Sequence, residues 1–340
     1  MRPVSVFVSG ATGFVGSALV ERLARRGARV HALARSSSRR GHLGHLPIEW
    51  HTGDVTDPAA VERALAAFRE ASRALRAPSW VVHSAALISY RSADRDLSAA
   101  INVEGTRHVL RAAVELGVTR LCFVSSVVAV GSARDASTAI DEDAPFAADH
   151  LRSAYVHTKR AAEELVLSAR DRLDVVVVNP GAIFGPAAVP SNSARLLGSI
   201  SRGILPIPVP PGSLSVVGLE DVAAGIELAL ERGARGRRYL LTESSWSLVD
   251  LIALILREMN GRPRLFRAPR SLWGACVGMS RWIDSVRPFS VLTPDALELL
   301  GEHYRFDSGR ARRELDWIPR PFPEVLRATV AAYRSAGVVR

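Results

Sequence analysis

Apolar runs without alternation recur along the first half of the chain, and each is followed by a stretch with helical spacing. Val4 to Val8 is a β-rich run, and Gly16 to Arg26 follows it with Ala18, Leu19, Leu23 and Ala24 at helical intervals. Arg29 to Leu33 predicts a second strand and Ile48 to His51 a third, ending at Gly53-Asp54. Pro58 to Arg76 predicts a helix, Trp80 to His83 a fourth strand and Leu97 to Leu116 a long helix. Leu121 to Ser125, Tyr155 to Arg170 and Val175 to Val178 continue as strand, helix and strand. Strands that are apolar on both faces belong in a sheet covered on both sides. Their alternation with helices predicts an α/β fold with a doubly wound parallel sheet.

The pattern changes after Pro180. Gly203, Pro206, Pro208, Pro210, Pro211 and Gly212 crowd one stretch. Helices follow near Val222 to Glu231 and Leu248 to Met259, with a short strand at Tyr239 to Thr242 between them, and the chain from Pro263 onward is rich in Arg, Pro and Trp. These features divide the chain into a sheet domain over residues 1–185 and a smaller C-terminal lobe, mainly 186–340, that binds substrate. Elements near 213–245 are expected to return to the sheet domain. The two lobes should leave a cleft over the carboxyl ends of the strands, where open α/β sheets hold ligands. Ser271 to Ser280, uncharged between Arg270 and Arg281, is too short to span a bilayer, which needs about 20 residues. It reads as a buried helix of the second lobe rather than a helix docked on a membrane surface.

Composition narrows the classes. With 48% hydrophobic and 23% charged residues, the chain is neither disordered nor fibrous. Two cysteines, Cys122 and Cys276, supply neither a disulfide framework nor a cysteine zinc site, and a reducing cytoplasm is the expected setting. Met1 to Val8 runs straight into a glycine-rich turn, not into a signal cleavage site. The formal charge of +10 comes almost wholly from arginine, with Lys159 the single lysine. These cations form only short local clusters, which argues against nucleic acid as a partner and leaves a weak pull toward anionic ligands.

Candidate chemistry begins at Gly10-Ala11-Thr12-Gly13-Phe14-Val15-Gly16, between the first strand and the first helix. Glycines there allow a tight turn and close approach of backbone N–H groups to a pyrophosphate, with the helix dipole favouring its charge. A cofactor ribose with a free 2′-hydroxyl is usually met by an acid at the end of the second strand. Here that stretch has no acid: Arg35 stands next, with Arg39 and Arg40 shortly after. A guanidinium pairs bidentately with phosphate, so Arg35 favours NADP(H), with NAD(H) as the alternative.

Tyr155 and Lys159 are four residues apart and share one helix face. A phenol with a pKa of about 10 is a poor proton carrier at neutral pH until a cation lowers that value. Lysine, a compact charge on a flexible stem, suits the task and also reaches a ribose. His83 reads as a packing residue at a strand end, and His157 lies on a different helix face from the pair. No metal-ligating spacing is apparent, so no metal is expected.

The G-x-x-G-x-x-G spacing resembles the extended short-chain dehydrogenase/reductase superfamily, the NAD-dependent epimerase/dehydratase group with a Rossmann domain. Further segments are similar to its motifs in the same order: Gly53-Asp54-Val55; His83-Ser84-Ala85-Ala86; Asn102-Val103-Glu104-Gly105-Thr106; Phe123-Val124-Ser125-Ser126; Tyr155-Val156-His157-Thr158-Lys159. Asn179-Pro180-Gly181-Ala182-Ile183-Phe184-Gly185-Pro186 resembles R-P-x-x-x-Y-G-P with Asn and Phe substituted. Ala311 to Pro319 resembles A-R-x-x-L-G-W-x-P with Asp316 in place of Gly. The resemblance implies Ser126, Tyr155 and Lys159 as the catalytic group, Ser125 facing the other way. It implies cofactor contacts at Gly10, Thr12, Gly13, Phe14, Val15, Gly16, Asp54, Val55, Ala85, Ala86, Asn102, Tyr155, Lys159, Pro180 and Ile183, with Arg35 as in dihydroflavonol reductase-like members.

The expected activity is NADP(H)-dependent reduction of a ketone or aldehyde, or oxidation of the corresponding alcohol, on a small substrate, with a 3β-hydroxysteroid-like compound among the candidates. The runner-up is a nucleotide-sugar epimerase or dehydratase with retained cofactor, in which Arg195, Arg202 and Arg264 would meet a diphosphate. A non-catalytic redox sensor is a third reading, disfavoured by the Tyr155–Lys159 pair. Similar proteins commonly form homodimers through helices of the sheet domain.

Overall fold

The structure is a computed structural model that describes residues 4–133, 135, 137–189, 191–203, 208–261, 265–286 and 293–339. Pro206, Pro263 and Arg264 lie outside the described residues. In chain order the strands are β1 (Ser5–Ser9), β2 (Arg29–Ala34), β3 (Ile48–Thr52), β4 (Ser79–His83), β5 (Arg120–Val124), β6 (Val175–Pro180), β7 (Ala182–Phe184), β8 (Ser213–Gly218), β9 (Arg238–Leu241) and β10 (Ser244–Ser247). The helices are α1 (Phe14–Arg25), α2 (Pro58–Ala74), α3 (Arg95–Ala99), α4 (Gly105–Glu115), α5 (Ala154–Ser168), α6 (Asn192–Ser201), α7 (Leu219–Arg232), α8 (Leu248–Glu258), α9 (Arg270–Val286), α10 (Pro294–Leu300), α11 (Gly309–Leu315) and α12 (Phe322–Ser335).

Seven strands form one parallel sheet in the order β3-β2-β1-β4-β5-β6-β9. Every residue of β6 is buried, as its unbroken valine run requires of a strand covered on both faces. One face packs Leu19 and Val20 of α1 with Val222 and Ile226 of α7. The other packs Val61 and Phe68 of α2, Val109 of α4 and Val166 of α5. Ser9 pairs with Leu33 on one side and His83 on the other, so β1, β2 and β4 end side by side. The strand order reverses between β1 and β4, the crevice where doubly wound sheets bind ligands.

The structure refines three sequence expectations. The helix expected over Leu97 to Leu116 is α3, a π-helical turn at Ala100–Glu104, and α4. Residues 182–184 and 213–218 do not join the main sheet: β7, β8 and β10 make a three-stranded sheet of their own. The chain crosses between sheets at Gly181, where a Cβ would strike the Ser215 carbonyl. From the segment expected to return, α7 and β9 do pack on the main sheet, and so does α11 with Trp317 much later in the chain. The second lobe has its own core of Phe184, Leu197, Leu251, Ile255, Phe322 and Leu326.

The α9 segment is not a fully buried helix. It buries Trp273, Val277 and Ser280 against α10, while Leu272, Met279 and Trp282 on the opposite side are exposed. No helix among the described residues is long and apolar enough to cross a membrane.

Asp316 ends α11 in the left-handed region, φ 54°, which explains why the motif it departs from carries glycine there. Trp317, 1% exposed, follows and donates its indole N–H to the Asp221 carbonyl at 2.8 Å. Arg320 then pairs with the Asp221 carboxylate at 3.1 Å. The C-terminal segment is thereby fastened to α7. Trp317→Ala is expected to cost about 3–5 kcal/mol of stability, read as a fall in the melting temperature. An unchanged melt would show that this segment lies outside the cooperative unit.

Candidate active site

The loop after β1 turns at Gly10, φ 75°, where the Ala85 backbone passes so closely that a Cβ would sit 2.6 Å from its nitrogen. A Cβ on Gly16 would strike the Gly10 carbonyl. Neither position accepts a side chain, so the loop lies flat against the β4 turn. Gly13 caps α1 without a side-chain hydrogen bond, and the first turn of α1 carries no acid. The N–H groups at that helix start therefore face outward with a favourable dipole, a cradle that fits a pyrophosphate. Thr12, Phe14 and Val15 are half-buried around it and Gly13 is exposed.

At the next strand end Arg35 is exposed and has no ion-pair partner among the described residues. Arg40 is held differently. It lies over the Trp50 ring at 5.0 Å and donates to the Ala34 and Arg35 carbonyls at 3.3 and 3.2 Å. Of the nearby cations, Arg40 braces the turn, while Arg35 and Arg39 are both exposed with no ion-pair partner among the described residues. Asp54, half-buried after β3, accepts from the Thr56 N–H and hydroxyl, both at 3.0 Å, through one of its oxygens. Val55 is buried against Gly105.

The β4 turn brings Ala85 and Ala86 beside Gly10, with Ala86 exposed. The resemblance places Asn102 among the cofactor contacts, but its amide is spent elsewhere. It accepts from the Leu87 N–H at 2.7 Å and donates to the Leu87 carbonyl and Thr158 hydroxyl, both at 3.0 Å. Asn102 is a clasp between the β4 turn and α5, reached from the π-helical turn. His83 is a packing residue, as expected. The Thr106 hydroxyl donates to the Asn102 carbonyl, so His83 Nε2 donates to Thr106 at 3.0 Å and Nδ1 accepts from Ser9 at 2.6 Å. Burial, reinforced by the Lys159 charge, lowers its pKa to about 3 and keeps it neutral.

Ser126, Tyr155 and Lys159 converge between β5 and α5. The Ser126 hydroxyl lies near enough to the Tyr155 phenol to favour its charged form, whereas the Ser125 hydroxyl is buried without a partner. Tyr155 is 7% exposed, and burial raises its pKa above 10, with the Ser126 hydroxyl pulling partly back. This differs from the expected lowering by a cation. The reason is that Lys159 Nζ donates to the Val124 carbonyl at 2.8 Å and lies over the Phe123 ring at 4.5 Å. Burial lowers the Lys159 pKa to about 8, and Glu163, one turn further on, opposes the shift. Pro180 is buried at the end of β6, and Ile183 is half-buried on β7.

Several residues around this group carry no motif of their own. Tyr90 packs edge-on to Tyr155, ring centroids 5.8 Å apart. Thr293, capping α10, donates to the Tyr90 carbonyl at 2.7 Å, which ties the second lobe to the Tyr155 wall. Beneath Lys159, the fully buried Glu163 accepts from Asn179 at 2.6 Å. Asn179 also donates to the Ser126 carbonyl at 3.0 Å. Arg238 Nε stands 3.1 Å from the other Glu163 oxygen, close enough to pair in charge but not aligned for a hydrogen bond. Asn179 is the position where the resembling motif has arginine, and here β9 supplies the cation instead. The only local signal for Glu163 was its place four residues after Lys159.

The chain matches the model of the NAD dependent epimerase/dehydratase family over residues 6–241. It is 33% identical over 345 residues to sterol demethylase protein B of Methylococcus capsulatus, covering 99% of this chain and 100% of that protein. It is 31% identical over 350 residues to a putative dihydroflavonol 4-reductase of Synechocystis, covering 98% and 96%. Among solved structures, gox2253 is similar with a TM-score of 0.83 and 29% identity over 99% of each chain. The NAD complex of Thermus thermophilus UDP-glucose 4-epimerase shares the fold, with a TM-score of 0.73 and 23% identity over 98% of this chain and 100% of that one.

Because Lys159 is the single lysine, isotope-labelled lysine gives one side-chain resonance. That resonance is expected to titrate near pH 8. Glu163→Gln removes the charge that opposes the shift, so the midpoint should move lower; an unmoved midpoint would disprove the coupling. Above pH 8 the folded chain has released a proton that the unfolded lysine keeps up to its ordinary value of 10.5, so this group's contribution to stability rises with pH across that window.

Proposed function

The chain belongs to the NAD dependent epimerase/dehydratase family, whose members use NAD(P), and on that premise we propose that it is an NADP(H)-dependent oxidoreductase acting on a ketone or aldehyde, or on the corresponding alcohol. The observation that carries this reading is the convergence of Ser126, Tyr155 and Lys159 beside the carboxyl ends of β1, β4 and β5. The glycine cradle and the open helix start suit the cofactor's pyrophosphate, and the free Arg35 suits a 2′-phosphate. When bound, the cofactor supplies or accepts the hydride.

The protein's own part is orientation and proton transfer. Ser126 and Tyr155 direct two hydroxyl groups at one substrate oxygen. In the reducing direction Tyr155 Oη gives its proton to that oxygen as negative charge develops there. The raised pKa of the phenol keeps the proton in place until then. Lys159, mostly protonated at neutral pH, would offset the phenolate left behind once its ammonium turns from the Val124 carbonyl toward the phenol. Asn102 and Asn179 do not touch the substrate in this reading; they hold the β4 turn and the Ser126 backbone. Reductase names among the relatives, such as the putative dihydroflavonol 4-reductase, favour net redox chemistry over epimerisation.

Tyr155→Phe should lower the rate of NADPH-dependent carbonyl reduction by about 10²–10⁴-fold while cofactor binding stays intact. Wild-type turnover in that variant would sink the assignment. For the cofactor, NADPH should raise the melting temperature more than NADH does, and Arg35→Ala should erase the difference. A preference for NADH in the wild type would overturn the Arg35 assignment.

A further inference from the structure

A second group of donor side chains has no task in the chemistry above. His31 lies on β2, and Glu49 and His51 lie on β3, the strand at the sheet edge. The strand register pairs His31 with Glu49 and Leu33 with His51. Side chains alternate along a strand, so Glu49 and His51 share a face, and the pairing puts His31 on it as well. This is the face covered by α2, where Phe68 meets the His31 ring edge-on at 5.2 Å.

The donor atoms point at one another. His31 Nδ1 is 3.1 Å from His51 Nε2 and 3.6 Å from Glu49 Oε1. Ligands held at about 2.0–2.1 Å by a tetrahedral ion stand about 3.3–3.4 Å apart, and the two observed separations bracket that spacing. His31 is fully buried, while Glu49 and His51 reach the surface and leave one side open to water. The second Glu49 oxygen is held by Arg29 at 3.3 Å, which orients the carboxylate.

We propose that His31 Nδ1, His51 Nε2 and a Glu49 carboxylate oxygen bind one zinc-class divalent ion, with water completing the coordination. Two nitrogen donors select a transition metal over magnesium or calcium. The site is separated from Ser126 by β1, β4 and the width of the sheet, so it acts as a clamp and not in the reaction. It fastens edge strand β3 to β2 below the strand ends that carry Arg35 and Asp54.

The test uses the full chain after treatment with a chelator. Zinc is titrated by calorimetry, and cobalt(II) is used as an optical probe of tetrahedral coordination. One equivalent of each should bind, and zinc should raise the melting temperature. His51→Gln and Glu49→Gln should each weaken binding by more than about tenfold and remove the thermal shift. His45→Gln, which alters another histidine of the same region, should leave binding unchanged. The proposal fails if no equivalent binds at micromolar zinc, or if both ligand variants keep full affinity. Should His51→Gln not fold, Glu49→Gln decides alone, because its side chain is 46% exposed and removable without a cavity. Neither measurement involves cofactor or substrate, so its outcome is independent of the proposed reductase activity.

Discussion

Burying an ammonium ion costs several kcal/mol unless other groups answer its charge. Lys159 is 2% exposed, and the arrangement of four elements around it is the answer. β5 offers the Val124 carbonyl and the Phe123 ring face. α5 places Glu163 one turn away, and β6 and β9 bring Asn179 and Arg238 to that carboxylate. The strand order β5-β6-β9 is what allows the three contributions to meet. Remove any one, and either the ammonium or the carboxylate is left buried without its full complement. The Ser126 backbone hangs from the same network through Asn179, so the electrostatics of the lysine and the placement of the serine are one problem with one solution.

A second constraint acts where strand order reverses. Gly10, Gly16 and Ala85 bring three backbones into contact that side chains would force apart. That contact sets the β1 loop against the β4 turn, and Asn102 ties the same turn to α5. The glycine turn and the Tyr155 wall are therefore tied to each other through the β4 turn. Tyr90 extends it to the second lobe through Thr293. A substrate lying on Tyr155 would touch elements from both lobes without any long linker between them.

Departures from the resembling motifs are also explained by contacts. Asp316 takes a left-handed conformation that glycine adopts more easily, and its exposed carboxylate meets Arg232 at 2.5 Å. Phe184 in place of tyrosine is 2% exposed and packs edge-on to Phe322, in a core with no use for a hydroxyl. Asn179 in place of arginine is matched by Arg238 on the neighbouring β9. Each change keeps the local task while moving the group that performs it.

The amino-acid sequence by itself determined the alternation of strands and helices, the glycine turn before α1, and the pairing of Tyr155 with Lys159 on one helix face. These depend on spacings of two to seven residues, and backbone geometry converts such spacings directly into position. By resemblance it also pointed to Ser126 rather than Ser125. What it left undecided depends on segments far apart in the chain. Only the tertiary structure showed Asn102 clasping the β4 turn to α5, occupied Arg40 beside an exposed Arg35, and exposed half of α9. It alone set Arg238 beside Glu163, 75 residues earlier in the chain, and brought His31 to Glu49 and His51. Strand register and sheet order decide such meetings, and neither is encoded in the periodicity of any single segment.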